Sequence, residues 1–410
     1  MKNPFIPPNF NLPLAWSMDL MHSSLLKLLY NITSIEISAE DRALLRSLRY
    51  DRMVLIANHP SSAEPPVTYY LANVMGSRFH YMAAREVFEW GYGMVGKVIA
   101  NLGAFSVIAG STDRESLKTA REVLAAPSGK LVLYPEGEPT SGENDNLLPF
   151  QPGVVQLGFW AMDDVRKQEP EGDITVLPIF IKYRIEGTDA HIKSILYSRI
   201  KSLENRFRID PGNKNLLRRY LSIGRVLLEN TEKEYNIPIA SRSDWDYRMG
   251  RVRHAILDGV ADKLAFPGYD RKGDAITKLR QILSILECVK LHMPVREMPA
   301  VDSRTLKFAE RECQKAYAFI AIKRDYLVSY PTPERFFEWL RRFENFVYGE
   351  FQEPERRAII YLGLPFKFSE YYTTNRLKKK LNSKGCLGRM QKEIQALMEK
   401  ARLVSEPIVR

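Results

Sequence analysis

Between Met53 and Tyr183 the chain alternates short apolar runs with longer amphipathic stretches. The runs Met53–Ala57, Phe79–Ala83, Ala104–Ile108, Lys130–Tyr134 and Ile174–Tyr183 have the length and side chains of buried strands. Between them, the spacing predicts helices over Pro66–Met75, Val87–Leu102, Asp113–Ala126 and Val154–Met162. Pro65 and Pro66 suit a first helical turn, where a missing N–H is no loss. Thr112-Asp-Arg-Glu115 reads as a capping box for the third helix, which Pro127 and Gly129 stop. Repeated strand–helix–strand units predict an α/β fold, a largely parallel sheet flanked by helices.

The flanks have a different texture. Residues 1–13 are proline-rich. Leu14, Met18, Met21, Leu25, Leu28 and Ile32 then form a stripe at helical spacing, with Ser17, Ser24, Lys27 and Asn31 on another face. Such a helix either packs on the domain or lies in a lipid interface. Ser38-Ala-Glu-Asp41 resembles a capping box and predicts a second helix to Leu48. From His191 to Glu350 the pattern is helical almost throughout. Leu196, Ile200, Leu203 and Phe207 make one stripe; Leu279, Ile282, Leu283 and Leu286 make part of another. Pro211-Gly212, Pro238, Pro267-Gly268, Pro294 and Pro331 punctuate the block. A strand returns at Arg357–Leu362, followed by Gly363-Leu-Pro365 and a basic helix from Tyr371 to Ala401. The late strand makes the helical block an insertion. The expected organisation is N-terminal amphipathic helices over 1–48, an α/β domain over 49–187, a helical insertion over 188–354, and a closing strand and basic helix over 355–410.

Composition narrows the field. An apolar fraction of 45% and a charged fraction of 27% over 410 residues describe a folded chain. A net charge of +11 favours an anionic partner: a membrane surface, nucleic acid or a phosphorylated small molecule. Cys288, Cys313 and Cys386 are odd in number and widely spaced, which excludes a disulfide framework and a Cys-x-x-Cys metal site and fits a reducing compartment. His22, His80, His191, His254 and His292 show no ligand spacing, so neither metal nor cofactor is expected. There is no run of ~18 apolar residues and no secretory signal. The expected location is cytoplasmic and membrane-associated. Asn31-Ile-Thr33 is then a chance sequon. Gly91-Tyr-Gly-Met-Val-Gly96 matches a dinucleotide fingerprint but falls inside a helical pattern, not between strand and helix. The tail Arg376-Leu-Lys-Lys-Lys380 is either a solvated helix face or a membrane contact. Nucleic-acid binding rests on charge alone and is not expected.

In a parallel sheet, ligands collect beyond the carboxyl ends of the strands. Three segments should end on that rim: Asn58–Glu64, Ala109–Arg114 and Tyr134–Gly137. A carboxylate bonded to one histidine ring nitrogen fixes the tautomer and leaves the other nitrogen as a base. His59 and Glu64 have residue types for this. Alone, they would equally describe a loop histidine beside a helix-capping acid, and Glu136-Gly137 alone would be a turn. Their convergence on one rim makes them a candidate site.

These segments also carry a resemblance. Asn58-His59 with Glu64, Leu102-Gly-Ala-Phe-Ser-Val-Ile108, Tyr134-Pro-Glu-Gly137 and Val176-Leu-Pro-Ile-Phe-Ile181 resemble, in order, four blocks of the phospholipid/glycerol acyltransferase family, which includes the 1-acylglycerol-3-phosphate acyltransferases. Gly363-Leu-Pro365 resembles its closing strand. The blocks span Met53 to Arg184. Two positions depart from the pattern: Glu64 stands where the family has Asp, and Ala109 where it has an Arg for the acceptor's phosphate. The resemblance implies an acyltransferase acting at a membrane surface on an acyl thioester, acyl-CoA or acyl carrier protein, and a lysolipid acceptor. His59 would be the general base and Glu64 its orienting carboxylate, with Ser61 and Ser62 not needed as nucleophiles. Glu136, Gly137 and Gly103 would help bind substrate, and Arg114, Lys118, Lys97 or Arg85 could replace the missing Arg. The rival reading is a lipid-binding protein that keeps the fold without the chemistry, its helical insertion docking a partner.

Overall fold

The structure is a computed structural model that describes residues 5–108, 113–137, 143–238, 244–291, 293, 298–321 and 324–408. In chain order it begins with α1 (Leu12–Tyr30), β1 (Ile32–Ile37), α2 (Ala39–Ser47), β2 (Met53–Ala57), α3 (Glu64–Met75) and β3 (His80–Ala84). A 3₁₀ turn (Arg85–Glu89) leads to α4 (Met94–Asn101), β4 (Ala104–Val107), α5 (Arg114–Ala125), β5 (Lys130–Leu133), α6 (Gly153–Gln168) and β6 (Thr175–Ile185). Seven helices follow: α7 (Asp189–Phe207), α8 (Leu216–Glu234), α9 (Trp245–Lys263), α10 (Ala275–Lys290), α11 (Ser303–Ala321), α12 (Arg324–Ser329) and α13 (Pro333–Tyr348). The chain closes with β7 (Arg356–Leu362), β8 (Phe366–Lys367) and α14 (Arg376–Arg402).

The strands form one sheet in the order β1-β7-β6-β2-β5-β3-β4, with β8 paired antiparallel to β6. The pairs β1–β7, β2–β5, β2–β6, β3–β4 and β3–β5 are parallel. The fold is therefore α/β, a mostly parallel sheet flanked by helices with a helical insertion. Side-chain alternation explains how both faces are filled. In β2, Val54 and Ile56 join a core with α5, α6 and α14, while Met53, Leu55 and Ala57 join the opposite core with α2 and α3. β6 divides in the same way: Val176 and Phe180 go to the first core, and Leu177, Ile179, Ile181 and Tyr183 to the second. All five β2 residues are inaccessible to solvent, and each large one contributes roughly 1.5–3 kcal/mol of apolar burial. This central strand delivers the His59 loop.

The chain forms two compact units. One holds residues 1–107, 112–184 and 355–404, with the sheet; the other holds 108–111, 185–354 and 405–410, with the seven helices. Within the helical unit, one apolar cluster joins α7, α8, α12 and α13, and a second joins the end of α8 with α9, α10 and α11.

Several expectations need correcting. Residues 1–48 hold more than two helices alone: β1 lies between α1 and α2, and Ile32 begins that strand. Of the stripe Leu14, Met18, Met21, Leu25, Leu28, the first, second and fourth are half-buried and Met21 and Leu28 are exposed, so the stripe only flanks the fully packed face of α1. That face is Ala15, His22 and Leu26, fixed by the Asp19–Arg78 ion pair at 2.8 Å and by His22 Nε2 against the Pro66 carbonyl at 2.8 Å. The single helix expected over Val87–Leu102 is broken, because Gly91, Tyr92 and Gly93 all have positive φ. The fingerprint glycines are thus a tight turn plus Gly96, whose missing Cβ would lie 2.2 Å from the Phe88 carbonyl oxygen. α5 is capped by Asp113, which accepts from Ser116 N–H at 3.1 Å; Thr112 lies outside the described residues. α6 runs on to Gln168, and α14 starts at Arg376 instead of Tyr371, capped by Asn375.

Candidate functional site

The site is built where β2 leaves the sheet. Asn58, buried, ties the strand end to β6: its side-chain amide donates to the Ile181 carbonyl at 3.0 Å and accepts the Ile181 N–H at 2.8 Å. His59 follows in the loop, and Glu64 is the first residue of α3. There the partial positive charge of the helix terminus favours a carboxylate.

Glu64 is fully buried, and both of its oxygens are occupied. Oε2 faces His59 Nδ1 at 2.9 Å and accepts the Ser61 N–H at 2.9 Å. Oε1 accepts the Ser61 hydroxyl at 2.8 Å and the Tyr183 hydroxyl at 2.6 Å. A carboxylate acceptor at Nδ1 puts the ring proton there and the lone pair on Nε2. Nε2 makes no hydrogen bond among the described residues. The imidazole also stacks on Tyr134, with ring centroids 4.5 Å apart and planes at 24°. Tyr134 is held in turn by Thr68, hydroxyl to hydroxyl at 2.9 Å. Burial raises the phenols of Tyr134 and Tyr183 well above their ordinary pKa, so both stay neutral.

Glu136 comes from the turn after β5 and is also fully buried. Its Oε1 accepts the His59 backbone N–H at 2.8 Å, and its Oε2 accepts the Leu148 N–H at 2.7 Å. Burial pushes this carboxyl up to about 7, against the downward pull of those two N–H groups. Glu136 therefore clamps the histidine loop to the 143–151 segment from beneath. Gly137 adopts φ +77°, and a Cβ there would sit 1.8 Å from Gln151 Nε2. Only glycine closes this turn without displacing Gln151.

The remaining candidates fall elsewhere. Gly103 precedes β4 at the amino end of the sheet, not on the carboxyl rim. Its φ of +100° and a virtual Cβ 2.9 Å from the Phe79 carbonyl explain it as a turn glycine. Arg85 does leave β3 on the rim, but its guanidinium is paired with Glu89 at 2.5 Å. Lys97 on α4 and Arg114 in the first turn of α5 are exposed. Lys118 is exposed, 3.9 Å from Glu122. Ala109, where an Arg was expected, lies outside the described residues.

Sequence reasoning missed the support around the pair. Tyr183 is the clearest case. Leu177, Ile179, Ile181 and Tyr183 share one face of β6, so an aromatic with a polar tip at the carboxyl end of that face was a usable signal. Asn144 was not legible; its side chain bonds the Ile181 carbonyl at 2.7 Å and the Tyr183 N–H at 2.8 Å, fixing the backbone of Tyr183. Lys182 and Asp145 form a buried ion pair beside it. Arg356 lies over the Tyr183 ring, 4.3 Å from its centroid.

A buried acid, an oriented imidazole with one free nitrogen, and a rigid loop at strand ends make an arrangement that can accept a proton from a bound hydroxyl. The chain matches no curated protein. Residues 38–182, however, match the model of the family described as Acyltransferase. The match covers the strands and loops that hold His59, Glu64, Glu136 and Gly137, and it supports an acyltransferase function. Residues 38–182 are accordingly similar to the Acyltransferase family, the family that contains the 1-acylglycerol-3-phosphate acyltransferases.

Proposed function

We propose that the protein moves a fatty acyl group from an acyl thioester, acyl-CoA or acyl carrier protein, to a hydroxyl of a glycerolipid or lysophospholipid, with His59 as general base. The observation that carries this reading is the state of His59: Nδ1 is engaged by a buried carboxylate and Nε2 is left without a partner among the described residues. Nε2 takes the proton of the acceptor hydroxyl as its oxygen attacks the thioester carbonyl. The tetrahedral intermediate collapses with a C–O bond formed and the C–S bond broken, and the departing thiolate takes the proton from the imidazolium. Glu64 stabilises the imidazolium in between. Ser61 spends its hydroxyl on Glu64, which suits a direct transfer with no acyl-enzyme.

A membrane surface as the workplace is supported by what remains exposed. α1 leaves Leu12, Trp16, Leu20, Leu28 and Leu29 uncovered, and the turn before α4 leaves Trp90, Tyr92 and Met94 uncovered. On α14, Leu377 and Leu381 are exposed one turn apart, with Lys378, Lys379 and Lys380 between them. Apolar side chains beside lysines suit an anionic interface. Among the described residues no helix is long and apolar enough to cross a membrane.

The test is thiol release by the purified protein on anionic vesicles, with acyl-CoA or acylated carrier protein and a panel of phosphorylated and unphosphorylated lysolipids. Release should require an acceptor, and His59→Ala should lower its rate by about 10²–10⁴-fold. Full activity in His59→Ala would overturn the mechanism.

A further inference from the structure

Within the helical unit, α8 faces two apolar clusters. Leu227 packs with α7 and α13, and Leu228 with α9, α10 and α11. At this seam lies a cavity of about 360 Å³, inside the size range of small-molecule pockets. The buried part of its lining is mostly apolar, with Leu227, Leu228, Met249, Phe319, Trp339 and Phe343, and includes the Arg342 side chain. The exposed part carries Lys214, Arg218, Arg225 and Arg324. Among the described residues no aspartate or glutamate lines it.

Some cations of this unit are matched by acids, as in Arg199–Glu344, Arg219–Glu204 and Arg248–Glu232. Among the described residues, Lys214, Arg218, Arg225 and Arg324 make no such pair; Arg225 instead lies over the Trp245 ring. Gly224 adds an independent observation. A glycine inside a helix is less favourable than alanine. A Cβ at Gly224 would rest 3.7 Å from the Trp339 and Phe343 rings, an ordinary contact. Packing does not require glycine here, and the small residue leaves the cavity free of a longer side chain. The indole N–H of Trp339 is buried without an acceptor among the described residues.

We infer that this cavity is a binding site for a single-chain lipid with an anionic head, either a long-chain carboxylate or a lysophospholipid. The apolar walls take the chain, and the four cations, without an acid partner among the described residues, take the head. A nucleotide fits less well. Apart from the cations, the described lining offers Ser222 and the Trp245 and Trp339 N–H groups, few polar atoms to read a base edge. The site shares no residue with the His59 loop and does not rest on the acyl-transfer reading.

The experiment is equilibrium binding to the full-length protein, followed by tryptophan fluorescence and calorimetry, with ligands below their micellar concentrations. Oleate and oleoyl lysophosphatidate are the two anionic probes; monooleoylglycerol, inorganic phosphate and ADP are the controls. One or both anionic lipids should bind with a stoichiometry of one and at least tenfold more tightly than every control. Whichever binds more tightly identifies the head group. Gly224→Leu should weaken that binding at least tenfold, and Gly224→Ala should leave it unchanged. Arg218→Glu combined with Arg225→Glu, both at exposed positions, should also weaken it at least tenfold and decides the matter if Gly224→Leu does not fold. His59→Ala should bind as the wild type does. Tighter binding of ADP, unchanged affinity in the charge-reversed variant, or loss of binding in His59→Ala would overturn the proposal.

Discussion

The hydroxyl of Tyr183 donates to Oε1 of Glu64 at 2.6 Å, bridging residues from β6 and the start of α3. Together with Ser61, it occupies the oxygen that does not face His59. Glu64 thus cannot rotate its second oxygen toward the imidazole without breaking two hydrogen bonds. The extra methylene of glutamate, relative to the family's aspartate, is absorbed by this three-sided grip, and contact with Nδ1 is kept at 2.9 Å.

Tyr183→Phe should therefore act on rate more than on fold. It removes one hydrogen bond to a charged acceptor, worth roughly 1.5–3 kcal/mol, while the ring stays packed under Arg356. Thiol release should fall about tenfold or more, with a cooperative melt retained. An unchanged rate in a folded variant would show that Tyr183 does not position Glu64.

Glu64→Gln should be more damaging. The amide has one acceptor oxygen for a site that presents donors on every side: His59 Nδ1–H, Ser61 N–H, the Ser61 hydroxyl and the Tyr183 hydroxyl. Its NH₂ must face at least one of them, and the imidazole is then driven toward the wrong tautomer or orientation. A loss of about 10²–10⁴-fold in thiol release is expected. A cooperative thermal melt retained near the wild-type temperature distinguishes this from mere unfolding.

Glu136 gives a stability prediction with a definite sign. Burial moves its carboxyl from the ordinary 4.5 to about 7. Below pH 4.5 the group is protonated in both folded and unfolded chains and carries no penalty. Between pH 4.5 and 7 the unfolded chain ionises first, so this group's contribution falls as pH rises. Above pH 7 the cost levels off, at about 3 kcal/mol from the size of the shift. Glu136→Gln lacks this titration. Urea denaturation across pH 4 to 8 should show wild-type stability, measured relative to Glu136→Gln, declining up to pH 7 and flat beyond it. A difference independent of pH would sink the assignment.

The membrane-facing role of α1 can be tested separately from chemistry. Trp16 and Leu20 are exposed and lie one turn apart. Each contributes about 1.5–3 kcal/mol if its side chain enters an apolar phase. Trp16→Ser with Leu20→Ser should weaken co-sedimentation with anionic vesicles by tenfold or more and leave the melting temperature near that of the wild type. Undiminished vesicle binding would remove α1 from the interface.

The legible parts of the sequence were those in which one local rule had no competitor. β2 was read over Met53–Ala57, as found, because five consecutive apolar residues beside a proline-opened helix admit one interpretation. Spacing failed where polar groups decide the packing. α1 centres its packed face beside the stripe, on Ala15, His22 and Leu26, because Asp19 and His22 have partners, Arg78, Tyr69 and the Pro66 carbonyl, that no periodicity reveals. Around the site, His59, Glu64 and Glu136 stood out as chemistry-bearing types at strand ends. Their supports, Tyr183 and Asn144, did not, because they act through contacts set by sheet order, which places β6 directly beside β2.

Gly137 offers a way to separate backbone strain from steric conflict at the edge of the site. Its φ of +77° costs an L-residue roughly 1–2 kcal/mol, and a Cβ would overlap the Gln151 amide at 1.8 Å. The backbone N–H of Gln151 is held by the Pro135 carbonyl at 2.7 Å, so relief must come from its side chain. Gly137→Ala should therefore destabilise by about 2–3 kcal/mol. In a Gln151→Ala background the steric part disappears, and the same substitution should cost only the roughly 1–2 kcal/mol of backbone strain. Denaturant titration of the four proteins gives the coupling directly. Strict additivity would mean that Gln151 does not crowd the turn, and the glycine would then be explained by φ alone.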